Sequence, residues 1–170
     1  KITDETRIDK ILPIFQYLIK KKSKIIVISH IGRPKGVQAK GQSLEPICKC
    51  LETKLQKKIE LIKDNIYNLD RRKLSKRFFD QIIFLENIRF YKEEENNDNN
   101  FSKHLASLGD LFVNDAFSCS HRAHASLCKI TKFLPSYAGL QFETELNALK
   151  RVTSEIKKPI TCIIGGSKIS

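Results

Sequence analysis

The sequence predicts an α/β protein built on a parallel sheet with right-handed crossovers. Three observations carry this. Short apolar runs recur along the chain at 24–29, 59–62, 81–86, 111–113 and 159–164. Segments with apolar residues spaced by three and four lie between them. Strands alternating with helices specify a parallel sheet, because each crossover returns the chain to the same end. Finally, four of the five runs end abruptly in glycines, arginines or histidines, as strands do when they deliver polar groups to a crevice at the carboxyl edge of a sheet.

Thr3-Asp4-Glu5 can cap a first helix, in which Ile8, Ile11, Leu12, Phe15, Leu18 and Ile19 form one apolar face. Pro13 is expected to kink that helix without ending it. Arg7 sits in its first turns, where the helix dipole does not favour a cation, so another reason for its presence is expected. Lys24 to Ser29 reads as a buried parallel strand and runs into His30-Ile31-Gly32-Arg33-Pro34-Lys35-Gly36, where glycine and proline forbid regular structure. Ser43 is expected to cap a helix through Leu51 and Leu55. Ile59 to Ile62 is the second strand, and 64–78 is helical or irregular and strongly charged.

Gln81 to Glu86 is the third strand and delivers Asn87 and Arg89. The tract from Glu93 to Asn100 reads as a solvated loop before a short helix containing Phe101, Leu105 and Leu108. Leu111 to Val113 opens the fourth strand, and the chain then offers Asn114, Asp115, His121, Arg122 and His124. A fifth strand is expected at Tyr137 to Phe142, followed by a helix through Leu146, Leu149 and Ile156. The last strand, Pro159 to Ile164, ends in Gly165-Gly166-Ser167-Lys168.

The carboxyl ends of parallel strands share one edge, so His30 and Arg33, Arg89, Arg122 and Lys168 are expected on one rim. Such cations repel one another unless an anion joins them. Each charge-assisted hydrogen bond to that anion is worth roughly 1.5–3 kcal/mol. A substrate bearing phosphate, and a carboxylate with it, is the economical partner. His121 and His124 have a spacing that a metal could use, but no third ligand is evident and Arg122 between them disfavours a cation. Gly165-Gly166-Ser167-Lys168 lacks the full spacing of a P-loop. Its place after a strand still lets bare N–H groups approach a phosphate.

Composition sets the outer limits. The 170 residues suffice for one domain with a real core, and 41% of them are hydrophobic. No apolar run approaches the ~20 residues of a membrane span, and Lys1 to Glu5 shows no signal-peptide h-region. The five cysteines, at 48, 50, 119, 128 and 162, form no Cys-x-x-Cys pair and read as reduced thiols. The net charge of +12 suits polyanions or small anionic substrates. Most lysines read as solvated helix faces, since no basic run is interleaved with aromatics that would stack on bases.

Arg7-Ile8, Ser29-His30-Ile31-Gly32-Arg33-Pro34, Leu85-Glu86-Asn87-Ile88-Arg89-Phe90, Glu93-Glu94-Glu95, Val113-Asn114-Asp115-Ala116-Phe117, His121-Arg122-Ala123-His124 and Gly165-Gly166-Ser167-Lys168 together resemble phosphoglycerate kinase, in order and spacing along essentially the whole chain. The resemblance is to the N-terminal domain of that two-domain kinase. It implies a Rossmann-like parallel sheet with helices on both faces, and an enzyme of glycolysis that moves a phosphoryl group reversibly between 1,3-bisphosphoglycerate and ADP, giving 3-phosphoglycerate and ATP. Arg7, His30, Arg33, Arg89 and Arg122 match the substrate-binding basic patch, with Arg7 or Arg33 nearest the transferring group. Gly165, Gly166 and Lys168 match the nucleotide side, and Arg7 and Lys168 the catalytic pair.

By the same resemblance, residues 1–157 are the phosphoglycerate-binding domain without its first strand, and 158–170 lead towards a nucleotide-binding domain beyond the chain. That domain would hold most of the Mg2+ and the ATP or ADP. A cytoplasmic monomer is implied, with neither nucleic acid nor membrane as partner, and this piece alone is expected to be inert. Ser118-Cys119-Ser120 stands where the family commonly has Gly, Thr and Ala. The competing readings are a basic nucleic-acid-binding module, supported only by charge, and a non-catalytic remnant.

Overall fold

A computed structural model describes residues 2–78, 80, 82–154, 159 and 161. Eleven helices and strands follow one another: α1 (Thr6–Lys20), β1 (Ile25–Val27), α2 (Glu45–Leu55), β2 (Ile59–Ile62), α3 (Arg71–Arg77), β3 (Ile82–Leu85), α4 (Lys92–Glu95), α5 (Asn99–Ser107), β4 (Phe112–Asn114), β5 (Ser136–Ala138) and α6 (Leu140–Thr153). The expected last strand and the glycine-rich loop with Gly165, Gly166 and Lys168 lie outside the described residues, apart from Pro159 and Thr161.

β3 is central, with β1 and β2 parallel on either side. Ile82 stands opposite both Ile25 and Ile59. All four residues of β3 are buried, as a strand covered on both faces requires. Alternation divides them. Ile82 and Phe84 pack with Ile8 and Phe15 of α1 and with Cys48 and Leu51 of α2. Ile83 and Leu85 pack on the other face with Phe101 and Leu105 of α5 and with Ile130. The Phe15 and Phe84 rings stack at 6.3 Å between centroids. Lys54 ties α2 to the start of α1 through Glu5 and Asp9, at 2.8 and 2.7 Å.

Several expectations need correction. β4 and β5 form a separate two-stranded parallel sheet among the described residues, and do not extend the first. Phe112 of β4 nevertheless packs on the same core as Ile83 and Leu85. β5 is shorter than expected, because α6 begins at Leu140, within the span expected as strand. Its start is capped from outside: Asp115 Oδ1 accepts the backbone N–H groups of Gln141 and Phe142.

Ser43 does not cap α2 by itself. Glu86 does most of this, accepting the N–H of Leu44 at 2.8 Å and the hydroxyl of Ser43 at 2.7 Å. Ser43 Oγ in turn accepts from the N–H of Glu45. The acidic tract is not a solvated loop. Residues 92–95 form a one-turn helix, Asp98 caps α5 through the N–H of Phe101, and Glu94 is buried. Pro13 lies inside α1, which continues past it. Asp4 accepts the N–H and hydroxyl of Thr6 at the start of that helix.

Candidate anion-binding rim

The rim is built outward from the carboxyl end of β3. Asn87, fully buried, donates through Nδ2 to the carbonyls of Ile31 and Gln42, at 2.8 and 2.9 Å. Its Oδ1 accepts the N–H of Arg89 at 3.1 Å. The N–H of Ile88 bonds the carbonyl of Ser29, and that of Gly36 bonds the carbonyl of Arg89. The loop after β1 and the turn after β3 are thus laced together by main-chain and amide bonds. Gly36 has φ +78°, and a Cβ there would collide with the Lys92 side chain, so the loop closes on α4 only at a glycine.

Arg89 is 5% exposed, an unusual place for a guanidinium. Its Nη1 donates to the carbonyl of Gly32 at 3.0 Å. Its Nε has no hydrogen-bond partner among the described residues. The nearest acid is Glu95, whose Oε1 lies 3.7 Å away, within ion-pair reach but too far for a hydrogen bond.

His30 is half-buried and lies with its Nε2 4.0 Å from the Cys119 sulfur. Burial pushes its pKa down to about 4. The Arg89, His124 and Arg122 charges push the same way, and Glu95 opposes them. His124, buried, is lowered too, first by burial and then by Arg89, with Arg122 and His121 adding to it. His30 thus feels the charges of Arg89, His124 and Arg122 together, and it is neutral near pH 7. Arg122 itself is exposed.

The other expected residues stand differently. Arg33 is exposed on the loop after Gly32, next to the buried Pro34. Arg7 is exposed in the first turn of α1. The Asp4 carboxyl is lowered chiefly by the hydroxyl and N–H of Thr6, and the Arg7 charge adds the smallest share. No described contact joins either arginine to the His30, Arg89 and Arg122 group. Gly165, Gly166 and Lys168 lie outside the described residues. Glu94 and Glu95 were missed as site neighbours, since three consecutive glutamates do not announce which one turns inward.

The arrangement suits an anion. Two guanidiniums gather positive charge here, one of them buried with an Nε that makes no hydrogen bond among the described residues. Glu95, 3.7 Å from that Nε, and the buried Glu94 stand against it. It does not suit a cation. No group of three or more His, Cys, Asp or Glu side chains among the described residues is placed to hold a metal ion.

The phosphoglycerate kinase family model matches residues 1–170, the whole chain. The chain belongs to the phosphoglycerate kinase family. It is 52% identical over 170 residues to a phosphoglycerate kinase of Wolbachia pipientis wMel, covering all of this chain and 42% of that one. It is 48% identical over 172 residues to a cytosolic phosphoglycerate kinase of Triticum aestivum, with the same coverage. The solved phosphoglycerate kinase of Coxiella burnetii superposes on 94% of this chain and 40% of its own, with TM-score 0.82 and 35% identity. That of Pyrococcus horikoshii gives a TM-score of 0.79 at 28% identity. The chain spans about two fifths of the length of the curated relatives it matches.

Proposed function

We propose that this chain is the phosphoglycerate-binding part of a phosphoglycerate kinase, which moves a phosphoryl group reversibly between 1,3-bisphosphoglycerate and ADP to give 3-phosphoglycerate and ATP in glycolysis. His30, Arg89 and Arg122 hold the three-carbon substrate, and Arg7 and Arg33 complete the patch. Gly165, Gly166 and Lys168 meet the nucleotide side, with Arg7 and Lys168 acting on the transferring group. Residues 1–157 are the substrate domain, and 158–170 lead towards a nucleotide-binding part of the longer protein. It works as a cytoplasmic monomer.

The observation that carries this reading is the Arg89 guanidinium, buried against the Gly32 carbonyl with its Nε making no hydrogen bond among the described residues. Burial and then the field of that guanidinium hold His30 neutral, and the exposed Arg122 adds to the same field. A phosphate or carboxylate oxygen would satisfy that donor and offset the charge. Phosphoryl transfer asks for positioning and charge neutralisation more than covalent help, which arginines and a lysine supply. The nucleotide-binding domain would hold most of the Mg2+ together with ATP or ADP, and the ion would add charge neutralisation there. Closure of a second domain over the rim would exclude the water that competes for the phosphoryl group.

Calorimetric titration of the chain with 3-phosphoglycerate tests the reading. Saturable binding is expected, weakened about tenfold when the salt is raised from about 50 to 500 mM. Absence of saturable binding contradicts it. So does retention of a random DNA duplex that 3-phosphoglycerate fails to displace, which would favour a nucleic-acid module.

A further inference from the structure

Glu94 is a buried carboxylate with no part in the proposed chemistry. It is 2% exposed. Its Oε2 accepts the N–H of Ser126 at 2.9 Å and its Oε1 accepts the Ser126 hydroxyl at 2.6 Å. The same Oε1 lies 3.6 Å from Nδ1 of His124. Its main-chain carbonyl accepts the N–H of Ala125, at 2.9 Å. One residue of a one-turn helix thus grips three consecutive residues, 124–126, from a segment thirty positions away. Two residues before that grip stands Arg122, and next to Glu94 stands Glu95, the acid facing Arg89.

We infer that Glu94 is a positioning residue, which fixes the segment carrying Arg122 and His124 at its height on the rim. This rests on the function proposed above. Burying a carboxylate is costly unless its oxygens are filled. Ser126 supplies two donors and the His124 ring covers the rest. A carboxylate suits the site as it stands, since both oxygens accept, one from an N–H and one from an O–H. Glutamine offers one acceptor and one donor, so the Ser126 hydroxyl would have to turn round. Alanine offers neither.

The test is a double-mutant cycle on the 170-residue chain, read as 3-phosphoglycerate affinity by calorimetry. Glu94→Ala is expected to weaken binding about tenfold and Glu94→Gln about threefold, a partial rescue. Combined with Arg122→Ala, either change should add little beyond the loss from Arg122→Ala alone, since both act through the same guanidinium. Losses that multiply, or affinity equal to wild type in both Glu94 variants, would overturn the inference. If Glu94→Ala does not fold, the cycle is read from Glu94→Gln.

A second readout needs no ligand. In Glu94→Gln the Arg122 amide and the His124 ring resonances should move from their wild-type NMR positions, while amides of α1 should not. Unmoved resonances would overturn the positioning role. Failure of the wild-type chain to bind 3-phosphoglycerate would instead sink the proposed function, and the resonances would still judge Glu94.

Discussion

Asn87 donates from Nδ2 to the carbonyl of Ile31 at 2.8 Å, joining the turn after β3 to the loop after β1 across 56 positions of sequence. The pair explains how residues on separate strands come to share one rim. Three side-chain bonds of one fully buried amide are involved. Asn87→Ala leaves two carbonyls and an N–H without partners in a buried place. It should cost about 3 kcal/mol, lowering Tm by roughly 10 °C. Thermal denaturation checks this. A loss below about 1 kcal/mol would mean that water replaces the amide.

The contact between Gly139 and Asp115 gives a second prediction. A Cβ on Gly139 would stand 2.6 Å from Asp115 Cγ, and the carboxylate it displaces caps α6. Gly139→Ala should therefore destabilise by about 1–2 kcal/mol, the size of a lost cap. Asp115→Ala should cost a similar amount. The two together should cost less than their sum, since both remove one interaction. Denaturant melts of the three variants decide it.

The third prediction concerns pH. Burial, then the Arg89, His124 and Arg122 charges, pushes the His30 pKa down to about 4 from an ordinary 6.5. Between those values the unfolded chain binds a proton that the folded chain refuses. Stability present above pH 6.5 is thus lost as pH falls towards 4. Discounted for the solvent that still reaches the ring, His30 accounts for about 1–2 kcal/mol of that loss. His124 is shifted the same way and adds to it. His30→Gln should flatten the decline in Tm between pH 6.5 and 4 relative to wild type. An unchanged slope would mean that the ring is solvated in the folded chain.

Binding an anion reverses the local field. When 3-phosphoglycerate arrives, protonation of His30 and His124 should become easier, and binding near pH 5.5 should take up protons. Titrations in buffers of different ionisation enthalpy measure that uptake directly. Zero uptake would place the bound anion away from both rings.

Much of the fold could be read from residue pattern alone. The apolar runs at 25–27 and 82–85 fall in strands, because a strand buried on both faces has little room for polar side chains, and 59–62 forms an edge strand that admits Glu60. The periodic faces of α1 and α5 are helical because apolar residues spaced by three and four fall on the one side that packs on the core. Pattern failed where tertiary contacts decide. Phe112 and Val113 are only half-buried, and whether β4 joins the first sheet depends on pairing that no local signal encodes. Glu94 looked like one of eight solvated polar residues. Its burial is set by Ser126 and His124, far along the chain.

The site shows the same division. His30 and Arg89 stand just past β1 and β3, which are neighbours in one parallel sheet, so their common edge was legible. Arg122 follows β4, which pairs in a separate sheet, so strand order gave it no such warrant. Arg33 shares the strand-end argument with His30, but no described contact joins it to the group, and Arg7 lies on α1 with no strand-end argument at all. Their place in the patch rests on motif position.

The most direct test of a shared anion rim is a two-dimensional NMR titration of the chain with 3-phosphoglycerate. We expect saturable shifts confined to the amides of residues 30–36, 87–90 and 119–126 and to the rings of His30 and His124, fitted by one dissociation constant and absent in Arg89→Ala. Shifts scattered over the lysine-rich helix faces, or none at those three segments, would contradict the account.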